Sequence, residues 1–277
     1  MKKAGKKRSK RANFILVLLI IFMIYAFRWD IAVRTYTFDS GKNKNFVRIL
    51  LVADSHSSYY GDKQSELIKA IDKTSPDIIL LGGDICDDKA PHERTWELLE
   101  NIAERYPCYY AAGNHEYWSG EIAEIKDKMR SYGVDVIEND KRFIEFNGTK
   151  INLYGIEDPE YFNSWDVNDK WAQTLEQLNS GVDTAELNVL LSHRPDGVEY
   201  YKNTDFDISL CGHAHGGQVR IPFVLNGLYA PNQGFFPKYA GGRYDFENHT
   251  MIVSRGLCRN TLPRFFNRPE LVVVAIK

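Results

Sequence analysis

The hydrophobic positions of this chain fall into short apolar runs, and each of five such runs ends where a potential metal-binding side chain begins. Val47-Arg48-Ile49-Leu50-Leu51-Val52-Ala53 leads into Asp54-Ser55-His56, and Asp77-Ile78-Ile79-Leu80-Leu81 into Gly82-Gly83-Asp84. Cys108-Tyr109-Tyr110-Ala111-Ala112 leads into Gly113-Asn114-His115-Glu116, and Leu187-Asn188-Val189-Leu190-Leu191-Ser192 into His193. A fifth run, closing on Leu210-Cys211, leads into Gly212-His213-Ala214-His215-Gly216-Gly217. Short β-branched apolar runs bounded by glycine or polar residues predict buried strands. Amphipathic patterns over residues 64–73, 93–105, 119–131 and 167–179 predict helices between them, the first stopped at Ser75-Pro76. The alternation predicts an α/β fold. Residues 33–38 alternate at period two and Ser40-Gly41 follows, which predicts an opening hairpin with the Val47 strand. Asn147-Gly148 between residues 142–146 and 149–154 predicts a second one. Asn147-Gly148-Thr149 also matches a glycosylation acceptor, but the turn is the preferred reading.

One segment breaks this pattern. Residues 1–13 carry seven Lys or Arg and no acid, and residues 14–27 are unbroken apolar or aromatic. As a helix those 14 residues span about 21 Å, short of a hydrocarbon core of about 30 Å. A signal-peptide core is the alternative by length, but no small-x-small cleavage site follows. The expectation is a basic cytoplasmic leader over 1–13, an uncleaved signal anchor over 14–32 and a catalytic domain over 33–277. By the positive-inside rule that domain lies on the extracytoplasmic side of the cell membrane, tethered by a single pass.

Charge then narrows the partners. The chain has 35 basic and 37 acidic residues; with the leader's seven set aside, 28 face 37. An acidic domain lacks the basic surface from which non-specific nucleic-acid affinity comes, so nucleic acid is not an expected partner. Arg255, Arg259, Arg264 and Arg268 form a late basic group that either binds a phosphorylated substrate or pairs with the acidic excess. Four cysteines in 277 residues make no disulfide framework, and Cys86 and Cys211 read as small core residues. Late aromatics, including Tyr229, Phe235, Phe236 and Tyr239 among glycines, read either as a loop at the site or as ordinary packing. The absence of a repeat or long linker predicts one domain, expected to be monomeric.

In open α/β sheets ligands sit outside the carboxyl ends of strands, so the five loops should share one rim. Five of the seven histidines fall in them. His92, at a helix start, and His249, in a polar turn, do not. An Asp after a strand is ordinarily a helix cap and a lone His ordinarily structural, but that explanation would have to hold five times at one structural position.

Asp54-x-His56, Gly82-Gly83-Asp84, Gly113-Asn114-His115-Glu116, His193 and Gly212-His213-x-His215 resemble, in order and spacing, the calcineurin-like metallophosphoesterase superfamily. Residues 253–271 are similar to its bacterial, membrane-associated, extracytoplasmic branch. The resemblance covers residues 33–277 and implies a four-layer αββα sandwich with two metals at the strand ends. It implies that Asp54, His56 and His215 hold one metal, that Asn114, His193 and His213 hold the other, and that Asp84 bridges them. It implies that His115 protonates the leaving oxygen. Glu116 would either orient that imidazole or stabilise a helix N-terminus. One departure is the lack of glycine two residues after His56, where Ser58 stands, which leaves the shape of that loop open.

Two divalent cations about 4 Å apart repel by roughly 17 kcal/mol at an effective dielectric of 20, so something anionic must lie between them. A bridging carboxylate and a bridging hydroxide meet that need, and the hydroxide is the expected nucleophile. Nitrogen and oxygen donors without thiolate suit Mn²⁺, Zn²⁺ or iron in either common oxidation state. The expected function is hydrolysis of phosphodiester or pyrophosphate bonds in a cell-surface or lipid-linked substrate. The alternatives are a phosphomonoesterase, including a protein phosphatase, and a catalytically idle metal- or phosphate-binding module.

Overall fold

In the computed structural model the described residues are 2–42, 45–162, 170–259 and 263–277. The chain runs α1 (Lys2–Ala26), β1 (Ala32–Phe38), β2 (Val47–Val52), α2 (Ser65–Thr74), β3 (Ile78–Gly82), α3 (Glu93–Ile102), β4 (Cys108–Ala111), α4 (Asn114–Trp118), α5 (Ile122–Ser131) and β5 (Asp135–Val136). It continues through β6 (Asp140–Phe146), β7 (Thr149–Ile156), α6 (Lys170–Ser180), β8 (Leu187–Ser192), α7 (Val198–Tyr201) and β9 (Ile208–Cys211). It ends with β10 (Tyr229–Ala230), β11 (Gly234–Phe235), β12 (Gly242–Asp245), β13 (Thr250–Val253) and β14 (Glu270–Ile276).

Two six-stranded sheets form, ordered β1-β14-β2-β3-β4-β5 and β12-β13-β9-β8-β7-β6. Because side chains alternate across a strand, each central strand feeds two apolar layers. Ile49 and Leu51 of β2 meet Val189 and Leu191 of β8 between the sheets. Leu50 and Val52 face outward against Leu67 and Ile71 of α2 and Leu98 and Leu99 of α3. On the far side Tyr154 and Leu190 pack against Trp171 and Leu175 of α6 and Val198 of α7. The result is an α/β sandwich with helices outside both sheets, which is why the central strands read as continuous apolar runs.

The four predicted helices form within a few residues of their expected ends; positions 167–169 of the last lie outside the described residues. Asn147 and Gly148 take φ of 50° and 72° and close the β6–β7 hairpin, as a two-residue turn with both central residues left-handed requires. The opening hairpin does not form. β1 pairs in parallel with β14, and β14 pairs antiparallel with β2. All seven residues of β14 are buried, so this strand needs a neighbour on each edge, and it separates the two strands whose local pattern suggested a hairpin.

The expected anchor segment is helical within α1, and its side chains from Phe14 to Tyr25 are exposed. Among the described residues no helix is long and apolar enough to cross a membrane, so the transmembrane span expected over 14–32 is not shown. The apolar stretch is only 14 residues long, and the helix already ends at Ala26.

Candidate metal centre

All five loops do converge on one rim. Asp54 and His56 follow β2, Asp84 follows β3, Asn114 follows β4, His193 follows β8, and His213 and His215 follow β9. These seven side chains are buried. Ligand atoms of Asp54, His56, Asp84 and His215 lie within 4.8 Å of one another, as do those of Asp84, His193 and His213. Asp84 belongs to both groups. Its Oδ2 is 3.1 Å from Nε2 of His193 and 3.6 Å from Nε2 of His56.

The backbone is bent to achieve this. Asp54, His56, Asp84, His213 and His215 have φ between 45° and 66°, a region that costs non-glycine residues energy and clusters at functional sites. Close backbone approach explains the motif glycines at two positions. A Cβ on Gly113 would lie 2.3 Å from Oδ1 of Asp84, and one on Gly83, itself at φ +80°, would lie 2.5 Å from Nδ1 of His193.

Oδ2 of Asp54, both amide atoms of Asn114 and Nδ1 of His215 are buried without a hydrogen-bond partner, and Oδ2 of Asp84 has His193 as its partner only while that imidazole is protonated. Buried polar atoms left unpaired are costly, and so many at one point, all of metal-ligating type, fit a pair of divalent cations. The surrounding bonds orient the donors. Nδ1 of His193 lies 2.8 Å from the carbonyl oxygen of Gly82, leaving Nε2 for an ion. Nε2 of His213 is 2.9 Å from Oδ1 of Asn232, leaving Nδ1. Asn232 is held by Nη1 of Arg194, whose guanidinium makes a bidentate pair with Asp158 at 2.6 and 2.9 Å. Such outer partners fix ring orientation.

The charges are matched to a cation. Burial favours the neutral acid in Asp84, but the neighbouring His193, His56 and His115 hold its carboxyl well below the usual range. Burial lowers His56 and His193, yet the carboxylates win: Asp87 and Asp84 push His56 up to about 10, and Asp84 pushes His193 to about 10. His213 is held well below its ordinary value by burial, then by Arg194 and His193. His215 is held down by burial, then by His56 and Arg264.

His115 stands apart from the seven. It is half-buried at the edge of the group, its ring edge-on to His56 at 4.4 Å, with Nδ1 bonded to Oδ1 of Asp88 at 2.7 Å. Glu116 does not orient it. The Glu116 carboxylate accepts the backbone N–H groups of Asp84, Ile85, Cys86 and Gly113 at 2.7–3.0 Å, so it fixes the Asp84 turn and caps α4.

Asp87, Asp88, Asn232 and the Arg194–Asp158 pair escaped the sequence reading. The two aspartates were within reach, since they follow the Gly82-Gly83-Asp84 motif directly, whereas Asn232 lies in a loop whose only signal was its aromatics and glycines. Those aromatics divide: Tyr239 is buried in the outer core, while Phe235 and Phe236 are exposed. The four cysteines are all buried and none is in a disulfide, with Cys86 and Cys211 inside apolar clusters. His249 is buried and bonded to Ser209 and to the Phe206 carbonyl, away from the rim. Of the late arginines, Arg255 pairs with Glu270, Arg259 with Glu66 and Arg268 with Asp30. Arg264, only 2% exposed, leaves Nη1 and Nη2 without a hydrogen-bond partner.

Residues 47–217 match the calcineurin-like phosphoesterase family. The chain belongs to this family. It is similar to an uncharacterised metallophosphoesterase of Campylobacter jejuni, 28% identical over 98% of this chain and 73% of that one. It is equally similar, 28% over 83% of this chain and 82% of that one, to phosphodiesterase YaeI of Escherichia coli. A zebrafish protein named transmembrane protein with metallophosphoesterase domain is 26% identical over 84% of this chain and 54% of that one. With the family established, the chain is a metal-dependent phosphoric ester hydrolase.

Metal binding should displace protons. At pH 8 the metal-free chain holds protons on His56 and His193, because both sit at about 10, and a histidine must be neutral to ligate. Adding Mn²⁺ in weak buffer should release about two protons per chain, fewer as pH rises through 10, and apparent affinity should fall as pH is lowered. Loading with no proton release at pH 8 would contradict this charge assignment.

Proposed function

We propose that this enzyme hydrolyses phosphodiester or pyrophosphate bonds, with Asp54, His56, Asp84 and His215 holding one divalent ion and Asp84, Asn114, His193 and His213 the other. The observation that carries the reading is the convergence of unpaired ligand atoms about Asp84, with a histidine–carboxylate pair at its edge. Ions held there would supply Lewis acidity toward phosphoryl oxygens and an acidified water.

The chain's own groups do the rest. Asp88 fixes Nδ1 of His115, so Nε2 is the nitrogen available to pass a proton to the leaving oxygen. A diester's alkoxide needs that proton. Nη1 and Nη2 of Arg264 have no hydrogen-bond partner; burial lowers this group while Cys258, Tyr60 and then Asp54 raise it, and after burial and His56 it helps to hold His215 down, which supports a role near the first ion group. We assign this guanidinium to the non-bridging oxygens of the substrate phosphate, where a buried cation finds the anion it lacks. The name of the Escherichia coli relative supports the diester preference. The basic leader, the exposed apolar face of α1 and the zebrafish relative's name support a place at the cell membrane, with the domain on the extracytoplasmic side. They also favour a substrate at that surface.

The metal-stripped full chain resupplied with Mn²⁺ or Zn²⁺ should hydrolyse bis-p-nitrophenyl phosphate faster than p-nitrophenyl phosphate. Asp84→Asn should abolish both activities, and a clear preference for the monoester would instead make the enzyme a phosphatase. His115→Ala should lower kcat by about 10²–10⁴ while metal content by mass spectrometry stays intact. Loss of a metal from that variant would move His115 into the ligand set.

Arg264→Met gives opposite results for a substrate-binding and a structural guanidinium. Removing an unpaired buried charge should raise the melting temperature of the ligand-free protein by about 2–4 °C. The same change should raise KM for the diester by about 10–100-fold. A lower melting temperature with KM unchanged would mean that the guanidinium serves the fold.

A further inference from the structure

Beside the C-terminal end of α1 lies a cleft of about 620 Å³ whose walls carry Arg34, Arg220, Arg255 and Arg268. Two carboxylates answer these four guanidinium groups. Buried Glu270 lies 3.3 Å from Arg255 and 3.9 Å from Arg34, and Asp30 pairs with Arg268 while also serving Arg28. Among the described residues Arg220 donates to two neutral acceptors, the Gly216 carbonyl and the Asn226 amide oxygen, and feels Glu270 without pairing with it. The cleft is therefore cationic in a domain whose overall balance is acidic.

A second observation lies on its lip. Ile221 and Leu225 pair across a tight hairpin whose tip is Pro222-Phe223-Val224. Phe223 is fully exposed and Val224 is 80% exposed. Large apolar side chains held out into solvent on an ordered turn mark an interaction surface. The hairpin is joined to α1. Arg220 N–H donates to the Phe265 carbonyl, Phe265 packs edge-on against Phe22 and Phe27, and Phe266 N–H donates to the Ala26 carbonyl. The exposed apolar face of α1, the hairpin tip and the arginine cleft thus form one continuous surface.

We propose that this surface seats the enzyme on a bilayer, with Phe223 and Val224 entering the acyl boundary and the cleft holding an anionic phospholipid headgroup. Apolar side chains beside a cluster of arginines are the pairing that an anionic membrane surface rewards, and a soluble phosphate would leave the tip without a role. The occupant is a phosphate-bearing lipid rather than a protein, because the cleft is wide enough for a headgroup and its cationic excess lies next to a helix that is itself apolar. The inference rests on the proposed membrane location and deepens it.

The full chain carrying Phe223→Cys can be labelled there with an environment-sensitive fluorophore, since the four native cysteines are buried. In vesicles of phosphatidylcholine with phosphatidylglycerol the emission should shift to the blue. Replacing Arg34 and Arg220 by Gln should lower the seated-to-unseated ratio about fivefold per charge removed, and Lys at both positions should restore it. Melting temperatures and bis-p-nitrophenyl phosphate hydrolysis of the variants check that the fold persists. If the protein floats with vesicles but residue 223 stays in water, or if phosphatidylcholine alone gives the full shift, the headgroup site is overturned while the membrane location stands. If the protein does not float with vesicles at all, both fall.

Discussion

Everything at the rim depends on how the burial of three carboxylates is offset. Asp54, Asp84 and Glu116 are each fully removed from solvent within a few residues of one another in space. Burial alone would neutralise them. Burial and the neighbouring Asp84 push Glu116 up, and four backbone N–H groups oppose that shift. Asp54 and Asp84 have one backbone donor each, from His213 and His115, and each keeps an oxygen in reserve. Burial pushes Asp54 up while, against burial, His193, His56 and His115 hold Asp84 down, so a further positive partner would favour the carboxylate form of both. Protons on His56 and His193 meet that demand in the metal-free chain, and divalent ions would meet it more fully, because the same imidazoles then become ligands.

The sandwich supplies the stage for that balance. Parallel strands β2, β3 and β4 in one sheet and β8 and β9 in the other present their carboxyl ends on the same side, so residues far apart in sequence meet. His213 N–H donates to Asp54 across the sheet interface, and Nδ1 of His193 is bonded to Gly82 at the end of β3. Neither sheet holds a complete site, so the core between them sets the distance between ligands. A packed interior transmits small changes in volume, and altering Leu51 or Leu191 would be felt at the rim.

Much of this was legible because the runs that build the sheets are also the runs that carry the motifs. Asp54, His56, Asp84, Asn114, His193, His213 and His215 each follow a strand, and that regularity shows in the bare string. What stayed hidden depends on contacts that no local pattern encodes. The place of β14 between β1 and β2 follows from its need for neighbours on both edges, not from any turn signal. Asp88 and Asn232 act on His115 and His213 through side-chain geometry, and neither has a fixed spacing from its target. Glu116 looked like a partner for the adjacent imidazole because adjacency is visible in sequence. Its carboxylate instead turns back to the Asp84 loop, where more donors await it.

The segment after residue 263 joins the two ends of the molecule. Phe265 and Phe266 pack on α1, while Asn267 donates to the carbonyls of His215 and Gln218 at 2.7 and 3.1 Å. Gly216 has no room for a Cβ, which would lie 2.1 Å from Oδ1 of Asn267. Three consecutive residues therefore tie the apolar helix to the loop that carries His213 and His215, the two histidines proposed as ligands. Displacing α1 would loosen Phe266 first and, through the adjacent Asn267, the backbone on which His215 depends. The candidate metal rim and the apolar N-terminal helix are thus linked through adjacent residues of one short segment.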